Sequence, residues 1–159
     1  MFSDTINIVF LDVDGVLNSI AFLKANPDLH PDDHIDPLNV KRLNDLTDAT
    51  GAKIVVSSTW RLPFLWINDL AGLKALLARH GVTGDIIGMT PSLNPHQPRG
   101  KEIQQWMDDS GLDIGNIVIL DDDSDMAHLW NLLVKTDLFN GGLQDHDVAL
   151  AIQILNKGA

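Results

Sequence analysis

Cysteine is absent from the 159-residue chain, which excludes disulfides, thiol nucleophiles and thiolate zinc sites together. Cations are scarce as well: 11 Lys and Arg stand against 22 Asp and Glu, for a formal net charge of −11. A chain of that sign lacks the electrostatic footprint of a general nucleic-acid-binding surface. No apolar run reaches the roughly 18 residues that a membrane-spanning helix needs, so no membrane partner is expected. The first residues do not form a basic segment leading into an apolar one, and no secretory signal is read. Together these absences fit a cytoplasmic protein. Repeats, low-complexity tracts and long linkers are also missing, so one domain over residues 1–159 is expected.

Strand-like runs alternate with helical ones, the pattern of an α/β fold whose mainly parallel sheet, of about five strands, is covered on both faces. The strands are expected to begin at Ile6 and then to cover Lys53–Ser57, Asp85–Gly88, Asn116–Asp121 and Leu132–Lys135. Pro37 to Thr50 reads as a helix capped by Asp36 and ended by Gly51. Further helices are expected from about Phe64 to His80, from Gly100 to Ser110, and, briefly, from Ser124 to Trp130. Ile103, Trp106 and Met107 share one face of the Gly100 helix. An amphipathic helix with Val148, Ala151, Ile152 and Leu155 closes the chain. Two stretches read as irregular. Thr90–Arg99 carries three prolines, and Ser19–Asp36 is the candidate for a small flap or lid, since no segment is left for a large cap.

The most informative stretch is Ile6-Asn7-Ile8-Val9-Phe10-Leu11-Asp12-Val13-Asp14-Gly15-Val16-Leu17-Asn18. A buried strand there ends in two aspartates, and Gly15 lets the chain turn at once. In open α/β sheets the chemistry gathers beyond the carboxyl ends of the strands. Carboxylates at such an end are costly unless a cation or a reaction requires them. A second strand, Ile54-Val55-Val56, ends in the hydroxyls of Ser57, Ser58 and Thr59. Arg99 and Lys101 bring cations to a helix start. The strand Ile117-Val118-Ile119-Leu120 runs into Asp121, Asp122, Asp123 and Asp125, a mutually repelling cluster that favours a hard cation bound through oxygen, most simply Mg²⁺.

Asp12-Val13-Asp14-Gly15-Val16-Leu17-Asn18 resembles the first motif of the haloacid dehalogenase (HAD) superfamily of aspartate-nucleophile phosphohydrolases. The Ser57 strand, Arg99-Gly100-Lys101 and the Asp121 strand resemble its second, third and fourth motifs, in the same order. More narrowly, Ser57-Ser58-Thr59-Trp60-Arg61 and Arg99-Gly100-Lys101-Glu102-Ile103 are similar to small HAD domains of bacterial and phage RNA-repair proteins. The resemblance covers residues 6 to about 135 and implies a three-layer α/β/α, Rossmann-like core with a minimal cap or none.

It also implies roles. Asp12 would attack phosphorus, forming an aspartyl-phosphate, while Asp14 serves as acid and then base and offers its backbone carbonyl to the metal. Ser57 would bind a phosphoryl oxygen, with Ser58 and Thr59 as competitors in register. Arg61 would reach phosphate or a base; Trp60 would either stack on a base or pack in the core. Either Arg99 or Lys101 would neutralise the phosphate. Asp121 would bind the metal beside Asp12, with Asp122 or Asp125 as its acidic partner. The expected activity is a Mg²⁺-dependent phosphomonoesterase acting on a small phosphorylated substrate, a nucleotide or a nucleic-acid end. Phosphoryl transfer to an acceptor other than water is one alternative, and a non-catalytic binding or regulatory domain is the other. Small caps in this superfamily go with macromolecular substrates or with oligomers whose neighbour covers the site, so a homodimer enters the expectation.

Overall fold

The computed structural model describes residues 4–57, 69–93 and 97–158. Five strands form one parallel sheet: β1 (Ile6–Leu11), β2 (Lys53–Val56), β3 (Ile86–Met89), β4 (Ile114–Asp121) and β5 (Leu133–Lys135), in the spatial order β3-β2-β1-β4-β5. The helices are α1 (Ile20–Ala25), α2 (Pro37–Thr50), α3 (Leu70–Arg79), α4 (Arg99–Ser110) and α5 (Asp145–Leu155). This is the Rossmann-like α/β arrangement expected from the alternating sequence.

Strand alternation divides the core in two. Val9, Leu11, Ile54, Val56, Val118 and Leu120 pack with α2, α3 and α5 on one face. Ile8, Phe10, Val55, Ile117 and Ile119 pack with Ile103 of α4 on the other, where Trp106 meets Phe10 edge-on at 5.8 Å. Burial on both faces explains why β1 and β4 read as continuous apolar runs.

Local chemistry sets the ends of α2. Asp36 Oδ1 accepts the Leu38 N–H at 3.0 Å, Pro37 opens the first turn, and Gly51 closes the helix. Elsewhere the boundaries differ from the sequence reading. The third strand lies one residue later, at Ile86–Met89, and its pairing with β2 carries an irregularity between Ile54 and Val55. The helix expected from Phe64 is described from Leu70, capped by Asp69; residues 64–68 lie outside the described part. Ser19–Asp36 is not wholly irregular. Ser19 Oγ caps α1 by accepting the Phe22 N–H, and Pro31–Asp33 forms a 3₁₀ turn. In place of a short helix from Ser124, a 3₁₀ helix runs from Ala127 to Leu132, entered through Ala127 at φ 49°.

Candidate active site

The pairing registers bring four polar residues to one row. Leu11 is level with Val56 and Leu120, and Val56 with Met89. One residue further, the carboxyl ends of four adjacent strands carry Thr90, Ser57, Asp12 and Asp121. Backbone bonds hold the row: Thr90 N–H to Val56 O at 2.9 Å, Ser57 N–H to Leu11 O at 2.8 Å and Asp12 N–H to Leu120 O at 3.0 Å. Because Leu11, Val56 and Leu120 face α2, α3 and α5, alternation directs the row to the α4 side. All four are buried, none more than 5% exposed.

Arg99, the first residue of α4, reaches this row. Its Nη1 lies 2.8 Å from Asp121 Oδ2 and 3.4 Å from Asp12 Oδ1. Asp121 is further held by the Asp123 N–H on its Oδ1, and Asp12 Oδ1 accepts the Val13 N–H. Burial raises the Asp121 carboxyl above the ordinary value, and the opposing pull of Arg99 does not cancel it. Burial works against the Arg99 charge too, but the carboxylates of Asp121, Asp12 and Glu102 outweigh it and hold the guanidinium above its ordinary value. Lys101 is exposed on α4. Of the two candidate cations, the one joined to Asp12 and Asp121 is therefore Arg99.

The glycine after Arg99 has a packing reason. Its N–H donates to Asp125 O at 3.1 Å, and a Cβ at Gly100 would collide with the backbone carbonyl of Met126. Only a glycine lets α4 begin so close to the acidic turn, and that closeness brings Arg99 to Asp121.

Carboxylate oxygens of Asp12, Asp121 and Asp122 lie within 4.8 Å of one another, the group of acids among the described residues suited to a metal ion. Asp122 approaches over Gly15, where φ is +85° and a Cβ would stand 2.6 Å from Asp122 Cγ. Asp125 is exposed and outside this group, and its backbone carbonyl accepts the Gly100 N–H. Asp14 also lies outside it. Its Oδ1 accepts from Asn18 Nδ2 at 2.9 Å, while Asn18 Oδ1 accepts the Gly15 N–H and Nδ2 also reaches His34 O. Sequence reasoning assigned Asn18 no role. Its burial beside a sharp turn, the only cue to one, is invisible before folding.

Ser57 Oγ and Thr90 Oγ1 are buried and have no hydrogen-bond partner among the described residues. Thr90 read only as the start of a proline-rich loop. Ser58, Trp60 and Arg61 lie outside the described residues. A cavity of about 400 Å³ adjoins the acids, lined by Asp122, Lys135, Thr136, Asp137, Leu138 and the exposed ring of Phe139. A larger one, of about 530 Å³, lies at the opposite, amino end of the sheet among Ile6, Lys53 and Trp106.

A family model described as the HAD domain in Swiss Army Knife RNA repair proteins matches residues 8–148, which include β2 to β5 and most of β1. The chain belongs to that family. Neither a curated protein nor a solved structure matches it. A HAD domain goes with chemistry of the phosphatase or phosphotransferase type, and the buried acid cluster agrees with it.

Proposed function

We propose that the protein is a Mg²⁺-dependent phosphomonoesterase working through an aspartyl-phosphate on Asp12. The observation that carries this reading is the contact of the half-buried Arg99 with the buried Asp12 and Asp121 at the carboxyl edge of the sheet, with Asp14 two residues beyond the nucleophile. One guanidinium leaves the carboxylates of Asp12, Asp121 and Asp122 in excess. An all-oxygen set with surplus negative charge fits a hard dication such as Mg²⁺. Those three carboxylates would hold it, with the Asp14 backbone carbonyl in the place the family implies. When bound, Mg²⁺ supplies charge neutralisation for an incoming phosphate.

The chain's own groups do the rest. An Asp12 oxygen attacks phosphorus, and the bond from phosphorus to the ester oxygen breaks as Asp14 gives that oxygen a proton. Asp14, now a carboxylate, takes a proton from water, whose oxygen attacks the aspartyl-phosphate. Inorganic phosphate leaves and Asp12 is regenerated. Asn18 fixes the Asp14 carboxyl for both transfers, since its amide donates to Asp14 while its oxygen accepts from Gly15. Arg99 and the Ser57 hydroxyl stabilise charge on the phosphoryl oxygens.

The substrate class follows from two supports. The family is described by its occurrence in RNA repair proteins, and the cavity beside Asp122 offers the Phe139 ring and the Lys135 ammonium to a leaving group. A phosphorylated RNA end or a nucleotide suits both, through base stacking and phosphate attraction. The net charge of −11 restricts such contact to an end rather than a long duplex.

Asp12→Asn tests the mechanism. The amide is nearly isosteric but cannot attack phosphorus, so phosphate release from phosphorylated oligonucleotides and nucleotides is expected to fall by several orders of magnitude while the fold persists. Near-normal turnover in the folded variant would overturn the reading. Comparing phosphate release with and without added hydroxyl acceptors separates hydrolysis from transfer.

A further inference from the structure

We infer that Thr90 is a ligand-binding residue of this site, its hydroxyl donating to an oxygen of the phosphorylated ligand one strand outward from Ser57. The inference rests on the phosphoryl-transfer reading above and extends it to a residue outside the four motifs.

Position is the first support. Thr90 is level with Ser57, Asp12 and Asp121 in the row that ends β3, β2, β1 and β4. Its N–H is bonded to Val56 O at 2.9 Å, so its backbone is as fixed as that of Ser57. Two residues earlier, a Cβ at Gly88 would meet the Trp106 ring. By strand alternation, Thr90 projects to the same α4 side. Beyond it, the Leu93 N–H is held by Glu102 Oε2 on α4 at 2.9 Å, which ties the following segment to the helix that starts with Arg99.

The second support is chemical. Thr90 is 2% exposed, and its hydroxyl has no partner among the described residues. A buried hydroxyl that makes no bond weakens the fold. Valine would fill the same space with the same branching and no such loss, so packing alone does not account for threonine. Thr136, at the end of β5, shows the contrast: its Oγ1 donates to Gly15 O at 2.6 Å. The two hydroxyls left open, Ser57 and Thr90, sit side by side on neighbouring strands, where a bound oxyanion satisfies both.

Thr90→Val and Thr90→Ser test this in the intact protein, with inorganic phosphate as the probe in the presence of Mg²⁺. Calorimetry is expected to show phosphate binding weakened about tenfold in Thr90→Val, the scale of one lost hydrogen bond. Thr90→Ser keeps the hydroxyl and is expected to bind as the unaltered protein does. Without phosphate, Thr90→Val is expected to melt no lower than the unaltered protein, because only an unpaired hydroxyl has gone. Equal phosphate affinity in Thr90→Val overturns the inference. If that variant fails to fold, Thr90→Ala against Thr90→Ser decides: weaker binding in Ala alone upholds the inference, and equal binding overturns it. Phosphate release that vanishes in Asp12→Asn sustains the phosphatase reading even if Thr90→Val binds normally. An unaltered protein that neither binds nor releases phosphate removes both.

Discussion

The Arg99 guanidinium reaches Asp121 at 2.8 Å, so the first residue of α4 is bonded to the last residue of β4 in a charged contact whose carboxylate side is fully buried. The same nitrogen lies 3.4 Å from Asp12 and thus bridges the ends of two adjacent strands. Removing one partner of such a contact strands the other charge, at a cost of about 3–5 kcal/mol. Arg99→Met is therefore expected to lower the unfolding free energy of metal-free protein by that order, read from urea unfolding. Mg²⁺ is expected to raise the melting temperature of the variant more than that of the unaltered protein, because a dication offsets the carboxylates that Arg99 no longer serves. Equal Mg²⁺ shifts in both would show that Arg99 and the metal do not share these acids.

Metal choice is a separate test. Mg²⁺ demands bonds of about 2.0–2.1 Å in a near-octahedral shell, whereas Ca²⁺ takes about 2.3–2.6 Å and more ligands. Phosphate release is expected to vanish on chelation, to return with Mg²⁺, and to stay low with Ca²⁺. Unchanged turnover after exhaustive chelation would exclude a role for the acid cluster in metal-assisted catalysis.

Gly100→Ala probes the placement of Arg99 without touching a charge. The new methyl meets the Met126 carbonyl, a backbone atom that cannot swing aside. Overpacking of this kind costs roughly 1–3 kcal/mol, and the start of α4 has to withdraw from the acidic turn. Turnover is expected to fall more than tenfold, with a lower melting temperature. A stable variant with full turnover would mean that the approach of α4 to Met126 is not needed for activity.

Asp137, on the rim of the cavity beside Asp122, offers a pH test. The Asn140 side chain, and then the Phe139 N–H, hold its carboxyl below the ordinary value. A carboxylate whose folded value lies below its unfolded one contributes stability that is complete above the ordinary range. That contribution is lost as pH falls through the depressed value. NMR titration is expected to place Asp137 below a typical aspartate, and Asn140→Ala to move its midpoint upward. A midpoint unmoved by Asn140→Ala would assign the depression to something else.

Much of this arrangement was legible in the sequence because burial on both faces writes itself as uninterrupted apolar runs, as in β1 and β4. The end of α2 was equally plain, since Asp36, Pro37 and Gly51 act on their own backbone. α1 was not, because a six-residue helix with no buried side chain leaves no periodic trace. That Asp122, and not Asp125, comes near Asp12 and Asp121 depends on the path of the turn after β4, which packs against Gly15 and Gly100 from elsewhere in the chain. Ser57 was accessible as a strand ending in a hydroxyl. Its neighbour Thr90 was hidden because cross-strand register, unlike strand content, has no local signature.

The row of Thr90, Ser57, Asp12 and Asp121 draws one residue from each of four segments far apart along the chain, and the sheet alone makes them neighbours. β1 lies at the centre of that sheet, whereas β3 lies at its edge and, among the described residues, pairs with β2 alone. Edges fray at lower free energy than centres. Partial opening therefore releases Thr90 before Asp12, Arg99 and the acids, so, on the roles proposed above, gentle destabilisation is expected to weaken phosphate binding before it stops turnover.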